Sequence, residues 1–205
     1  MRRTTPVTLA AVLLFGGTLL VALGRDAQGK QPVSMLHGTY GFSWTRDCTQ
    51  NVGGFDAELR AVGDAASTIG TRADKGVVTY NGDGTATSEV RGLAVFGAPP
   101  GSFAASIFEL TCAITYTVNP DGSFVESQTC TGSLVAGSQS GRTFTVTDGV
   151  RQGQISADGN TLVIGDTNPG VTTLTLHAFP LLGLPEQTVQ RICWRAGTAV
   201  KIRNR

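Results

Sequence analysis

The chain has 205 residues, with 16 Lys+Arg against 15 Asp+Glu, 7% aromatic residues, 27 glycines and four cysteines. So even a balance, with no basic stripe beyond the tail Lys201, Arg203 and Arg205, argues against a nucleic-acid partner. The absence of long stretches with helical period, together with abundant Gly, Thr and Ser, excludes a helical bundle and points to an all-β chain rich in turns.

Met1-Arg2-Arg3 precedes an uncharged apolar run over residues 7–23 and then Gly24-Arg25-Asp26, the pattern of an export signal. Ala22 and Gly24 are the small residues wanted before cleavage, so residues 1–24 are read as a signal peptide and 25–37 as a flexible leader. The run also approaches the shortest length that spans a bilayer, so an uncleaved anchor is the alternative. No cysteine follows it, and Arg2-Arg3 lacks the rest of a twin-arginine signal. The expected location is secreted or periplasmic, or membrane-tethered if the anchor stays. Residues 38–205 are enough for one domain with its own core.

Along that domain, apolar and polar residues alternate as in half-buried strands at 40–44, 77–80, 86–96, 108–118, Phe144 with Val146, Leu162 with Ile164, Leu174 with Leu176, and Ile192 with Trp194. Residues 55–62 read as a strand in preference to a helical turn. Linkers are expected at 63–75, 97–102, 132–141 and 180–186, where Gly, Ser, Pro and charge dilute the pattern. Three Asp-Gly turns, at Asp83-Gly84, Asp121-Gly122 and Asp158-Gly159, punctuate the strands at near-equal intervals, as in an antiparallel meander. The fold expected is all-β, a meander closing into a single small β-barrel, with a β-sandwich as the alternative.

The middle turn fixes a register. Pro120-Asp121-Gly122 suits a three-residue loop with glycine in the left-handed position, so Asn119 faces Ser123. Counting outward sets Tyr116 against Glu126, Ile114 against Gln128 and Cys112 against Cys130. Opposed antiparallel residues lie about 4.5–5.5 Å apart at Cα, within reach of a disulfide. In an oxidising compartment the expected bonds are therefore Cys112–Cys130 and, by remainder, Cys48–Cys193, the second pinning first strand to last. The alternative for Cys48 is a loop position and another partner. One conflict stands: Cys48 shares a face with Tyr40, Phe42 and Trp44, whereas Cys193 shares one with Arg191 and Arg195.

Gly38-Thr39-Tyr40, with Phe42 and Trp44 following, resembles the opening of a lipocalin or wider calycin barrel, in which Gly-x-Trp is closed by an arginine of the last strand. Tyr40 stands where that motif has tryptophan, and Arg191 or Arg195 is the candidate arginine. The segments 38–42, 116–122 and 166–172 resemble uncharacterised secreted bacterial proteins expected to form small β-barrels. The resemblance implies a fold and brings no activity with it.

The counted register turns Tyr116, Glu126, Gln128 and Ile114 to the apolar side. These four are the expected ligand-binding residues, because a lined cavity with a few convergent polar groups suits a small apolar or amphipathic ligand. A register slip would instead turn Glu126 to solvent. With two histidines and the cysteines assigned to disulfides, no metal site is expected, nor any cofactor or catalytic residue. Asn81-Asp83-Thr85 departs from a calcium loop where it needs glycine and the bidentate acid, and Gly137-Ser138-Gln139-Ser140-Gly141 lacks nucleophile-elbow spacing. The leading function is small-ligand binding. The alternatives are a structural or interaction protein of the cell envelope and a cofactor-free isomerase or cyclase using Glu126 and Tyr116. Polar outward faces, such as 109–117, argue against insertion in an outer membrane.

Overall fold

The computed structural model describes residues 32–98, 102–166 and 170–202. The expected signal peptide, and the leader up to residue 31, lie outside the described residues. Nine antiparallel strands, β1 (His37–Asn51), β2 (Thr68–Asn81), β3 (Thr85–Ala98), β4 (Ser102–Val118), β5 (Ser123–Ala136), β6 (Thr143–Ile155), β7 (Thr161–Gly165), β8 (Val171–Leu176) and β9 (Gln187–Lys201), follow one another as a meander. β1 pairs with β9 from Tyr40↔Lys201 to Asn51↔Gln190, which closes the sheet into a barrel. β7 and β8 both pair with β6 on one side and β9 on the other, so together they form the seventh of eight staves. Along β9 the pairing passes from Gly165↔Ala196 on β7 to Val171↔Ile192 on β8, and the stave is broken between them.

The three Asp-Gly turns lie at one end of the barrel, and the Asp-Gly rule explains their shape. Gly84, Gly122 and Gly159 have φ of 94°, 83° and 68°, open to glycine at no steric cost. Each aspartate accepts the backbone N–H two residues on, from Thr85 (2.9 Å), Ser123 (2.9 Å) and Asn160 (3.0 Å). The middle loop closes with Asn119 N–H donating to Ser123 O at 2.8 Å, and the strands run in the counted register through Cys112↔Cys130.

Both disulfides point into the barrel, Cys112–Cys130 across β4 and β5, and Cys48–Cys193 across β1 and β9. No strand bends to allow the second. Arg191 and Arg195 face the interior beside Cys193, while Trp194 faces outward, 52% exposed, and Ile192, on the outward side by alternation, is nevertheless buried. The expected core face of the last strand is thus inverted, because the interior at this height is charged.

The near end of β2 corrects a second expectation. Residues 68–75 were expected within a linker, yet they form β2 with Arg72 and Asp74 pointing inward and buried. Similarly β5 continues to Ala136 instead of ending before Gly132. Residues 55–62 form no strand. They make a loop with an isolated bridge, Phe55↔Ala61, held to β9 by Phe55 N–H donating to Gln190 Oε1 at 2.8 Å. Pro32–Met35, expected in a flexible leader, form a 3-10 turn whose following Leu36 is fully buried against the end of the barrel.

Packing inside the barrel follows a repeated pair. Phe42 lies opposite Gly76, Trp44 opposite Gly197, Phe96 opposite Gly70, Phe108 opposite Gly92, Phe124 opposite Gly153 and Phe144 opposite Gly132. A methyl built on Gly92 would stand 2.2 Å from the Phe108 ring, and one on Gly70 2.0 Å from Phe96. Each phenylalanine ring lies over a neighbouring strand that has no side chain there, and Gly197 makes room for Cα and Cβ of Trp44, so eight staves close around a small bore without overpacking.

Candidate functional site

The end carrying the Asp-Gly turns is sealed. Tyr40, Tyr80 and Tyr116 meet edge to face, with ring centroids 5.6 and 5.2 Å apart. Tyr40 donates to Gly159 O (2.6 Å) and Tyr116 to Leu36 O (2.8 Å), which ties the rings to a turn and to the N-terminal plug. The cation over Tyr40 is Lys201, 5.7 Å from the ring centre, in place of the arginine that a calycin-like closure implies.

Above this floor the bore is filled by ion pairs. Glu126 is fully buried, as the register required, and its partners are Arg151, at 2.5 Å, and the Tyr80 hydroxyl. Tyr116, the expected companion of Glu126, is directed to Leu36 instead. Burial, and next the Glu126 charge, raise Tyr80 well above its ordinary pKa of 10.0. One layer further, Arg72, Arg46 and Arg195 stand side by side on β2, β1 and β9 as directly opposed residues. Like charges so placed repel. Asp74 holds two of them together, accepting from Arg46 (2.6 and 2.8 Å) and Arg72 (3.4 Å), with Trp44 Nε1 donating at 3.2 Å. Burial works to raise the Asp74 pKa, but Arg46 and Arg72 outweigh it and hold the group below its ordinary 3.8. Asp166, in the broken stave, lies 3.7 Å from Arg195.

Between floor and mouth the packing leaves a void of about 10 Å³, at the limit for one water. The opposite end of the barrel is different. A cup of about 200 Å³ opens there, walled by Phe96, Phe108, Phe144, Leu134, Leu174 and Leu176, with Arg72 and Arg191 among its lining. Arg142 fixes its rim. Buried, it donates to Gln139 Oε1 (2.8 Å), His177 O (2.8 Å) and Pro185 O (2.6 Å), and so ties the loop after β5 to the loop between β8 and β9.

None of the four residues expected to bind a ligand lines the cup. Ile114, Tyr116, Glu126 and Gln128 are all buried, in or below the packed middle, and Glu126 offers no face to a substrate. Arg191 and Arg72, which do line it, share the phase of the interior rows on β9 and β2. The signal available in the sequence was arginine recurring in step with core positions, as Arg46 does after Tyr40, Phe42 and Trp44.

The fold and its bonds define a class: a disulfide-bonded antiparallel β-barrel. Among solved structures the chain is similar to the crystal structure of Neisserial surface protein A, at 13% identity, over 80% of this chain and 97% of that one, with a TM-score of 0.48. No protein family matches the chain. No curated protein sequence matches it.

Proposed function

We propose that the protein is an exported barrel that binds a small amphipathic ligand in the cup at its open end. The observation that carries this reading is the cup itself: an apolar wall of phenylalanines and leucines, closed below by packed charge and edged by two guanidinium groups. A concave, mostly apolar wall with polar groups, here Gln50, Gln139 and Gln187 beside the two arginines, is what a preformed small-molecule site requires. The apolar N-terminal run and the two disulfides support a place outside the cytoplasm.

The outer surface supports a barrel that works in water. Lys75, Arg91 and Glu109 are neighbours across β2, β3 and β4 near the middle of the strands, and Arg91 pairs with Glu109 at 2.7 Å on the exposed face. At a bilayer midplane each such lysine or arginine costs about 2–4 kcal/mol.

Native mass spectrometry of the protein purified from its own host tests the reading. A retained small molecule, lost when Leu174→Trp fills the cup, is the expected result. A ligand-free protein whose affinity for small apolar probes is the same with and without Leu174→Trp would overturn it.

A further inference from the structure

The interior holds more positive charge than its carboxylates balance. Among the described residues six arginines are buried: Arg142 is held at the rim by carbonyl oxygens and Gln139, and the other five, Arg46, Arg72, Arg151, Arg191 and Arg195, share three carboxylates, Asp74, Glu126 and Asp166. Of these five, Arg191 is the one without an ion pair. It is 2% exposed, its Nε has no hydrogen-bond acceptor, and it lines the cup. Arg72 is nearly as poorly served: its one carboxylate contact is 3.4 Å, its Nε also lacks an acceptor, and its guanidinium is held 4.2 Å from the Phe108 ring centre. Leaving a buried charge without a partner is strongly unfavourable, whereas a buried pair with good hydrogen bonds is tolerated.

Resting on the reading of the cup as a ligand site, we propose that its ligand is an organic monocarboxylate, an aromatic acid or short-chain fatty acid, whose carboxylate seats on Arg191 and Arg72 and whose apolar part fills the cup. Planar guanidiniums match a carboxylate with parallel hydrogen bonds. The volume sets the size of the apolar part. A dry cavity of about 150 Å³ holds a benzene molecule, so about 200 Å³ takes one ring or a short alkyl chain and no long acyl tail. A singly charged head group is assigned because only two of the five guanidiniums, Arg191 and Arg72, line the cup, and Arg72 already shares Asp74.

The test is calorimetric titration of the protein, disulfides intact, with benzoate and pentanoate, with the uncharged isosteres benzamide and pentanamide, and with acetate. Charge-assisted hydrogen bonds predict that each acid binds about ten- to a hundredfold tighter than its amide. Arg191→Met, checked for native disulfides and near-ultraviolet dichroism, should lose most of the preference for each acid over its amide. The same variant without ligand should melt higher than the parent, since it no longer buries an unpaired charge. Amides that bind as tightly as acids would overturn the carboxylate assignment and leave the cup as a ligand site. Acetate binding as tightly as benzoate would show a simple anion site and overturn the amphiphilic ligand. Failure of every probe to bind would overturn both the assignment and the ligand site it rests on.

Discussion

Replacing Glu126 with glutamine changes one charge and almost no volume, at a position with no solvent exposure. The amide can still accept from Tyr80, so the perturbation falls on Arg151, which is 2% exposed and loses its only carboxylate among the described residues. Breaking one side of a buried ion pair costs about 3–5 kcal/mol, and a domain of this size holds about 5–15 kcal/mol in total. Glu126→Gln is therefore expected to remove at least about a fifth of the stability. Adding Arg151→Met withdraws the stranded charge, so the double variant should return to within about 2 kcal/mol of the parent. Urea unfolding with disulfides intact measures both, followed by tryptophan emission, because Trp44 lies 5.0 Å from the Arg151 guanidinium. A loss below about 1 kcal/mol for Glu126→Gln, or a double variant no more stable than the single, would refute the pairing as a stabilising unit.

Acid should weaken the barrel through Asp74. Its folded pKa lies below the ordinary 3.8, so its contribution is complete above the unfolded value and is lost as the pH falls through the folded one. Asp74→Asn should thus cost about 3–5 kcal/mol at pH 6, and the gap to the parent should narrow below pH 3.8; a gap that stays constant to pH 2 would contradict the assignment. Gly92→Ala, usually neutral or favourable within a strand, should here cost about 1–3 kcal/mol, since the added methyl meets the Phe108 ring at 2.2 Å and Asp74 Oδ1 at 2.3 Å. A rise in melting temperature would show that the ring can move aside.

What could be read from the sequence was what short-range chemistry determines. The loop at Pro120-Asp121-Gly122 fixed a register because glycine alone takes its third position without strain, and every pair of β4 and β5 from Val118↔Phe124 to Phe108 follows from it apart from the irregularity at Ile107 and Phe108. Strand faces were read correctly wherever the interior is apolar. They were misread where it is ionic: Arg72 and Asp74 made half of β2 look like a linker, and Arg191 and Arg195 made the inner face of β9 look like its outer one. The loop at 55–62 has apolar residues at strand-like spacing but no neighbour on which to pair them. The cup had no local signature for its apolar wall. Its walls come from residues far apart in sequence, Phe96, Leu134, Leu174 and Arg191 among them, and they meet only because the barrel closes.

Closure by β1 and β9 also settles how the molecule can be held. Pro32 enters and Ile202 leaves at the tyrosine floor, near Gly84 and Asn160, with the length of the strands between them and the cup. The described chain thus begins and ends on the face opposite the mouth, and neither Pro32 nor Ile202 crosses the opening of the cup. A ligand bound as proposed would enter from the end remote from both, past the rim that Arg142 ties together.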